Sequence, residues 1–306
     1  MLFIISLISF VAINLAPNSF FASGELNPNI TPEAIEELKK IYGLDKPLYI
    51  QFFSWIYSIL QLDFGISFTS GEKVKEEILS RIPITLTINI VSMILIFIIS
   101  LYFGIKSAMK KNSIFDRFTN QLSLLSFSMP SFYLALVLVL VFSIKFELFP
   151  IAGLHSVPND GSLNYYLDFA WHLTLPIFII FFGGIGSLIL YIRALTIEIL
   201  KSDYIFFARA RGLDNKKILR YYILPNLYPP VITLLGLSLP GIIGGSVILE
   251  TIFSIDGMGL LFYQSALSHD YPVIMGILII GAFLTLIGNM FADLILLKLN
   301  PNYNEK

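Results

Sequence analysis

Long apolar runs alternate with short polar ones along this chain. Runs at 84–105, 122–144, 172–192, 231–252 and 272–297 are each long enough to cross a hydrocarbon core of about 30 Å as a helix. Another apolar run opens the chain, from Met1 to Ala16. At about 1.5 Å per residue it reaches roughly 24 Å, slightly short of that core. It predicts a first membrane helix. A signal peptide is the rival reading, but a basic leading region is missing and Ala22-Ser23-Gly24 is a weak cleavage site. The chain therefore divides into a first transmembrane helix (1–16), an extracytoplasmic region with short helices (17–83) and a membrane domain of five helices (84–300).

The polar stretches predict finer features. Thr31-Pro32 starts a short helix whose apolar face is Ala34, Ile35, Leu38, Ile41 and Tyr42, ended by Gly43. Leu48 to Leu60 is apolar but too short to span, so it lies along the membrane surface or packs on the bundle. Ser128-Met129-Pro130 breaks the third span. The longest polar interruption of the C-terminal half is 198–225. Within it Glu198 to Ala210 reads as a helix, and Gly212 ends it in the left-handed conformation. Asp214 caps a second helix, Asn215 to Ile223, and Pro225 stops that one. Two short helices joined by a tight turn make a stiff knob.

Charge orients the bundle. Lys106, Lys110, Lys111 and Arg117 follow the second span, and Arg193, Lys201, Arg209, Arg211, Lys216, Lys217 and Arg220 surround the knob. Lys145 is the only base in 145–171, and 253–271 holds none. Basic loops stay in the cytoplasm, so the pattern predicts a multi-pass protein of the cell (inner or plasma) membrane: six spans, both termini cytoplasmic, the knob inside. Composition agrees, with 13% charged residues and 56% hydrophobic ones, against about 25% charged in soluble chains. The net charge of −1, with bases gathered at membrane edges, speaks against a nucleic-acid partner and leaves membrane lipid as the surroundings.

Little in the chain points to chemistry. It has no Cys, and His155, His172 and His269 show no metal-ligand spacing. No phosphate-cradling G-x-x-x-x-G-K-[ST] occurs, so any ATP hydrolysis belongs to another chain. The expectation is a non-enzyme without catalytic, cofactor or metal residues. Candidate pathway or packing residues are Ser128, Met129 and Pro130 at the break, Gly183 and Gly184 (with Gly186) in the fourth span, and Gly241, Gly244 and Gly245 in the fifth. Small residues let helices approach closely or leave room for a substrate. Charged and polar groups inside a membrane are costly, which adds Glu250 and the pair Asn289 and Asp293, four residues apart. His269-Asp270-Tyr271-Pro272 reads as the turn into the last span.

The knob carries a resemblance. Ala208, Gly212 and Leu224-Pro225 sit at the spacing of the "EAA" loop of ABC importer permeases. Ala208-Arg209-Ala210-Arg211-Gly212-Leu213 resembles the dipeptide/oligopeptide/nickel branch. Further matches are Leu44-Asp45-Lys46-Pro47-Leu48 with Gln51 and Trp55, Asp63-Phe64-Gly65-Ile66-Ser67, Arg81-Ile82-Pro83-Ile84-Thr85, and Phe149-Pro150-Ile151-Ala152-Gly153. Glu250-Thr251-Ile252-Phe253, Gly257-Met258-Gly259-Leu260 and Asp270-Tyr271-Pro272 complete them. The departures are Ala16-Pro17-Asn18-Ser19-Phe20 and Leu299-Asn300-Pro301-Asn302, where relatives carry Pro-Gly-Asp-Pro and Leu-Asp-Pro-Arg.

The resemblance implies an all-α type I ABC importer permease (MetI-like) bundle of six transmembrane helices with a cytoplasmic coupling helix. It also implies a second homologous permease subunit, two cytoplasmic ABC ATPase subunits and an extracytoplasmic substrate-binding protein as partners. The expected function is a translocation pathway for dipeptides or oligopeptides, coupled to hydrolysis by the partners. The alternatives are a nickel-complex permease, a stand-alone secondary transporter and an assembly scaffold without a transport role.

Overall fold

The structure, a computed structural model, describes residues 6–8, 10–11, 46–243 and 247–299. Most of the first expected span, the helix predicted at Thr31-Pro32, Gly244, Gly245 and the tail beyond Leu299 lie outside them. Among the described residues the regular elements are helices, joined by loops, and there is no strand. In chain order the helices are α1 (Leu48–Leu60), α2 (Val74–Met109), α3 (Ile114–Ser128), and α4 (Ser131–Leu138), extended by a π turn, Val139–Lys145. Then come α5 (Leu163–Leu200), α6 (Asp203–Ala210), and α7 (Asn215–Ile218), which runs through a π turn, Leu219–Ile223, into α8 (Leu224–Ile243). Last are α9 (Val247–Ile252), α10 (Met258–Leu267) and α11 (Tyr271–Leu299). Among the described residues α2, α5 and the Tyr271–Ile295 part of α11 are long and apolar enough to cross a membrane, and α3 with α4 makes a fourth candidate if the bent pair counts as one span.

The scaffold is the pairing of α2 with α5. Its seam is built from small residues, which let two backbones approach where no hydrophobic force separates helix from lipid. Ser92 Oγ donates to Ile88 O at 2.7 Å and faces Ile177 O of α5 at 3.4 Å, and Ser100 Oγ lies 3.4 Å from Ile185 O. A Cβ on Gly104 would sit 2.8 Å from Ile192 Cγ2. Opposite this stripe, Ile179, Ile189 and Ile192 of α5 are fully buried.

Four expectations are corrected. The second span begins at Val74, ten residues before the predicted Ile84, because Val74 and Ile78 are wholly buried against Met258, Leu261 and Val273. Its 36 residues measure about 54 Å, so α2 projects beyond a hydrocarbon core of about 30 Å. The third span begins at Ile114, before the predicted Leu122, and its expected break turns the two helices by 98°. The ring of Pro130 drives Met129 out of the helical region, to φ −91° and ψ 117°. The Glu198 to Ala210 helix is divided at Lys201-Ser202 between α5 and α6. Finally, Pro225 does not stop a helix. The preceding π turn, closed by the Leu224 N–H on Leu219 O, places Pro225 where the wide turn returns to α geometry, and the missing N–H is absorbed there.

Candidate functional site

A cavity of about 560 Å³ opens between α2, α5 and α8. Its wall on α5 is Ile180, Gly184, Ser187, Leu188 and Tyr191. Asn89, Met93, Ile96 and Phe97 line it from α2, and Leu234 and Ser238 from α8. Among the described residues no charged side chain takes part. The volume falls within the roughly 300–1,000 Å³ of small-ligand sites. Gly184 keeps the α5 wall low: a Cβ there would lie 2.4 Å from Ile96 Cδ1, the flexible tip of a lining residue.

The knob, α6 and α7 with the turn between them, sits at the basic end. Gly212 has φ +78°, the left-handed value that glycine takes without steric cost. The Leu213 N–H bonds Ala208 O at 3.2 Å and the Gly212 N–H bonds Arg209 O at 2.9 Å. Together these are a complete Schellman cap. Asp214 then accepts the Lys217 N–H at 3.0 Å and starts α7. Ile205 is buried among Ile192, Ile218, Ile223 and Leu227 of the chain's own bundle, and Ala208 is buried as well. Ala208 therefore faces inward. The outward side carries Phe206 (70% exposed), Phe207 (63%), Arg209, Ala210 and Arg211. Leu213 and Leu224 are half-buried and Pro225 is exposed.

Three polar knots hold the helices around these features. At the basic end Arg193 forks onto the buried carboxylate of Asp116, which also accepts from Ser107 Oγ, Asn120 Nδ2 and the Asn112 N–H. Arg193 thus belongs to α5 and an ion pair, not to the free bases of the knob. At the other end Glu250, 2% exposed, accepts the N–H groups of Gly259 (2.7 Å) and Leu260 (3.0 Å) and the Thr85 hydroxyl (3.1 Å). A carboxylate on the first turn of α10 is favoured by the helix dipole and ties α9 and α10 to α2.

The third knot surrounds Asp168. Its carboxylate accepts the Ser156 N–H at 2.6 Å and lies 3.4 Å from His172 Nδ1 and 3.7 Å from His155 Nδ1. His172 Nδ1 is 2.8 Å from the carbonyl of Asp168, and the His155 ring stacks on Tyr165 at 3.9 Å. Two of the three scattered histidines are thereby brought together. In the same loop Asp160 is held below the usual carboxylate range by hydrogen bonds from the Ser162 side chain and N–H. The Ser162 hydroxyl in turn accepts the Tyr165 N–H and starts α5.

Of the predicted pathway residues that are described, Gly184 alone lines the cavity. Gly183 is exposed, with open space where a Cβ would stand. Gly186 is a packing glycine: a Cβ there would lie 2.4 Å from Ser123 O of α3. Ser128 and Pro130 are exposed at the α3–α4 break, and Met129 packs against a core cluster. Glu250 serves its own knot. On α11, Asn289 is half-buried and Asp293 exposed, and neither reaches the cavity. Gly241 lies in α8, with its surroundings outside what is described. Asp270 begins the turn into α11, as expected, and accepts Ser67 Oγ at 2.5 Å and the Thr69 N–H at 3.0 Å. Sequence reading missed Asp116, Ser187 and Tyr191. Helical spacing from Gly184 was the signal for the last two; Asp116, 77 residues from Arg193, gave none.

Comparison with known proteins places these features in context. Residues 100–305 match the model of the family described as binding-protein-dependent transport system inner membrane component, and 1–89 match its N-terminal companion. The oligopeptide transport system permease protein AppB of Bacillus subtilis is 36% identical over 298 residues, covering 97% of this chain and 93% of that protein. The dipeptide transport system permease protein DppB of Lactococcus lactis subsp. cremoris is 32% identical, covering 98% and 94%. The metal-staphylopine import system permease protein CntB of Staphylococcus aureus is also 32% identical, covering 91% and 85%. Among solved structures, a chain of the MetNI methionine ABC transporter in inward-facing conformations matches with a TM-score of 0.57 at 17% identity, covering 73% of this chain and 96% of that one. That likeness speaks for the fold.

Proposed function

The chain belongs to the family of inner membrane components of binding-protein-dependent transport systems, and on that premise we propose that it conducts peptides as the permease subunit of an ABC importer. The observation that carries the peptide reading is its near full-length likeness to a permease named for oligopeptide transport. The cavity of α2, α5 and α8 is the pathway in this reading, because its uncharged wall accommodates amide groups without trapping an ion. The chain crosses the membrane six times, α8 with α9 forming the fifth crossing and both termini on the cytoplasmic side with the basic loops. The knob of α6 and α7 is the coupling segment, set against one of two ATPase subunits through Phe206, Phe207, Arg209, Ala210 and Arg211. A second permease subunit completes the pathway, and an extracytoplasmic binding protein delivers substrate.

A second reading, import of a metal chelate, draws on the likeness to the staphylopine permease. Uptake by the complete transporter in vesicles separates the two. ATP-dependent accumulation of labelled di- and oligopeptides supports the first reading. Accumulation of a nickel chelate without peptide uptake overturns it in favour of the second. Uptake by the chain alone, without ATP, would make it a secondary transporter.

A further inference from the structure

Several Ser and Thr hydroxyls in the described helices donate to their own backbone. Thr87, Ser92, Thr174 and Thr196 each donate to the carbonyl four residues earlier, at 2.7–2.9 Å. Two hydroxyls of the cavity wall are not used in this way. Among the described residues Ser187 and Tyr191 have no hydrogen-bond partner for their hydroxyls, and both are exposed. They follow Gly184 on the stripe of α5 that faces the cavity.

We propose that Ser187 and Tyr191 form a neutral hydrogen-bonding ladder that reads the main chain of an extended peptide in transit. The proposal rests on the peptide reading above. Four residues of helix rise about 6 Å, and two residues of extended chain rise about 6.7 Å. Successive main-chain amides on one side of the peptide thus meet successive rungs. A hydroxyl both donates and accepts, so each rung serves a carbonyl or an N–H and either strand direction fits. With no charged residue among the described residues of the wall, the ladder holds what all peptides share and ignores their ionised side chains. The substrate class is a peptide with at least three peptide bonds, the fewest that put two amides on one side, chosen by backbone and not by sequence.

Ser187→Ala, Tyr191→Phe and the double variant remove hydroxyls that no neighbour uses, so each assembles as the parent does. In vesicles holding the complete transporter, normalised to assembled complex, the double variant is expected to lower kcat/KM for tetrapeptide uptake about tenfold, or about 1.4 kcal/mol. Tetrapeptides N-methylated along the backbone are expected to lose a similar factor with the unaltered chain. A second measurement uses the absence of cysteine from the chain. Ser187→Cys and Tyr191→Cys are expected to react with a hydrophilic maleimide, and saturating tetrapeptide to slow the reaction. Peptide uptake by the unaltered transporter, together with unchanged kinetics in the double variant or labelling insensitive to peptide, overturns the ladder alone. No peptide uptake by the unaltered transporter overturns the reading beneath it.

Discussion

Arg193 on α5 grips Asp116 on α3 with two parallel bonds, Nε to Oδ1 at 2.7 Å and Nη2 to Oδ2 at 2.9 Å. The Asp116 side chain is 3% exposed and that of Arg193 21%. With Ser107 of α2 on the same carboxylate, one pair joins the basic ends of three helices. A planar fork of donors is required, which lysine cannot supply. Asp116→Asn leaves a half-buried guanidinium facing a neutral amide and is expected to cost about 3 kcal/mol, read as a lower Tm of the purified permease. Asp116→Leu combined with Arg193→Met is expected to recover much of the loss seen with Asp116→Leu alone, since no unpaired charge remains. An unchanged Tm in Asp116→Asn would show that the pair carries no stability.

Neighbouring glycines of α5 are expected to behave oppositely. Gly186→Ala pushes a methyl group to within 2.4 Å of Ser123 O, a backbone atom that cannot swing aside. Separating α3 from α5 is expected to cost about 1–3 kcal/mol. Gly183→Ala meets nothing within 4 Å and replaces a poor helix former with a good one, a gain of up to about 1 kcal/mol. Thermal melts of the two variants check the contrast; equal shifts would dissolve it.

The contrast shows how far the pattern of residues could be read. Apolar runs located the long helices well, since a span of some twenty oily residues leaves few alternatives. The knob's turn was legible because a left-handed cap and an Asp N-cap each need particular residue types, and Gly212 and Asp214 supply them. Helix ends were less legible. Lys75, Glu76, Glu77 and Pro83 look like the edge of a membrane, yet burial of Val74 and Ile78 draws them all into α2. The cavity was scarcely legible. Small residues announce close approach or open space without saying which, and only the fold separates the open Gly183 from Gly184 and Gly186, which approach a neighbour. The seam of α2 also uses Ser92 and Ser100, which a search for glycines passes over.

Glu250 yields a third prediction. Its carboxylate fills the place where a Cβ on Gly257 would stand, 2.5 Å from Glu250 Oε2 and 2.7 Å from Thr85 Oγ1. Gly257→Ala must therefore displace the acceptor of the first α10 amides. Glu250→Gln turns an amide NH₂ or a single weaker acceptor toward the Gly259 and Leu260 N–H groups. Both variants are expected to free α10, by about 1–3 kcal/mol of local stability, and to speed amide exchange across 257–262 while the core of α5 stays protected. Equal exchange in parent and variants would mean that α10 is held by packing alone.

Gly212 permits the most direct test of the knob. Space does not constrain it, since no atom lies within 4 Å of a Cβ built there. Conformation does, because φ of +78° places it where β-branched residues are strained. Gly212→Val is expected to cost about 1–2 kcal/mol locally and to break the paired bonds from Leu213 to Ala208 and from Gly212 to Arg209. Loss of that cap re-aims α7 against α6, while Ile205, Ile218 and Ile223 keep both anchored to the bundle. The chain should then reach the membrane in normal amount, with spans intact. If the knob couples hydrolysis to transport, the variant should co-purify less ATPase subunit or hydrolyse ATP without moving substrate. Gly212→Ala, strained less than valine because it lacks branching at Cβ, should fall between parent and Gly212→Val. Gly212→Asn, which tolerates the left-handed region, should restore much of the coupling. That order of glycine, asparagine, alanine and valine follows backbone preference, not side-chain size, and a surface without a required turn would not reproduce it. Normal association and normal transport in Gly212→Val would place the coupling contact elsewhere on the chain.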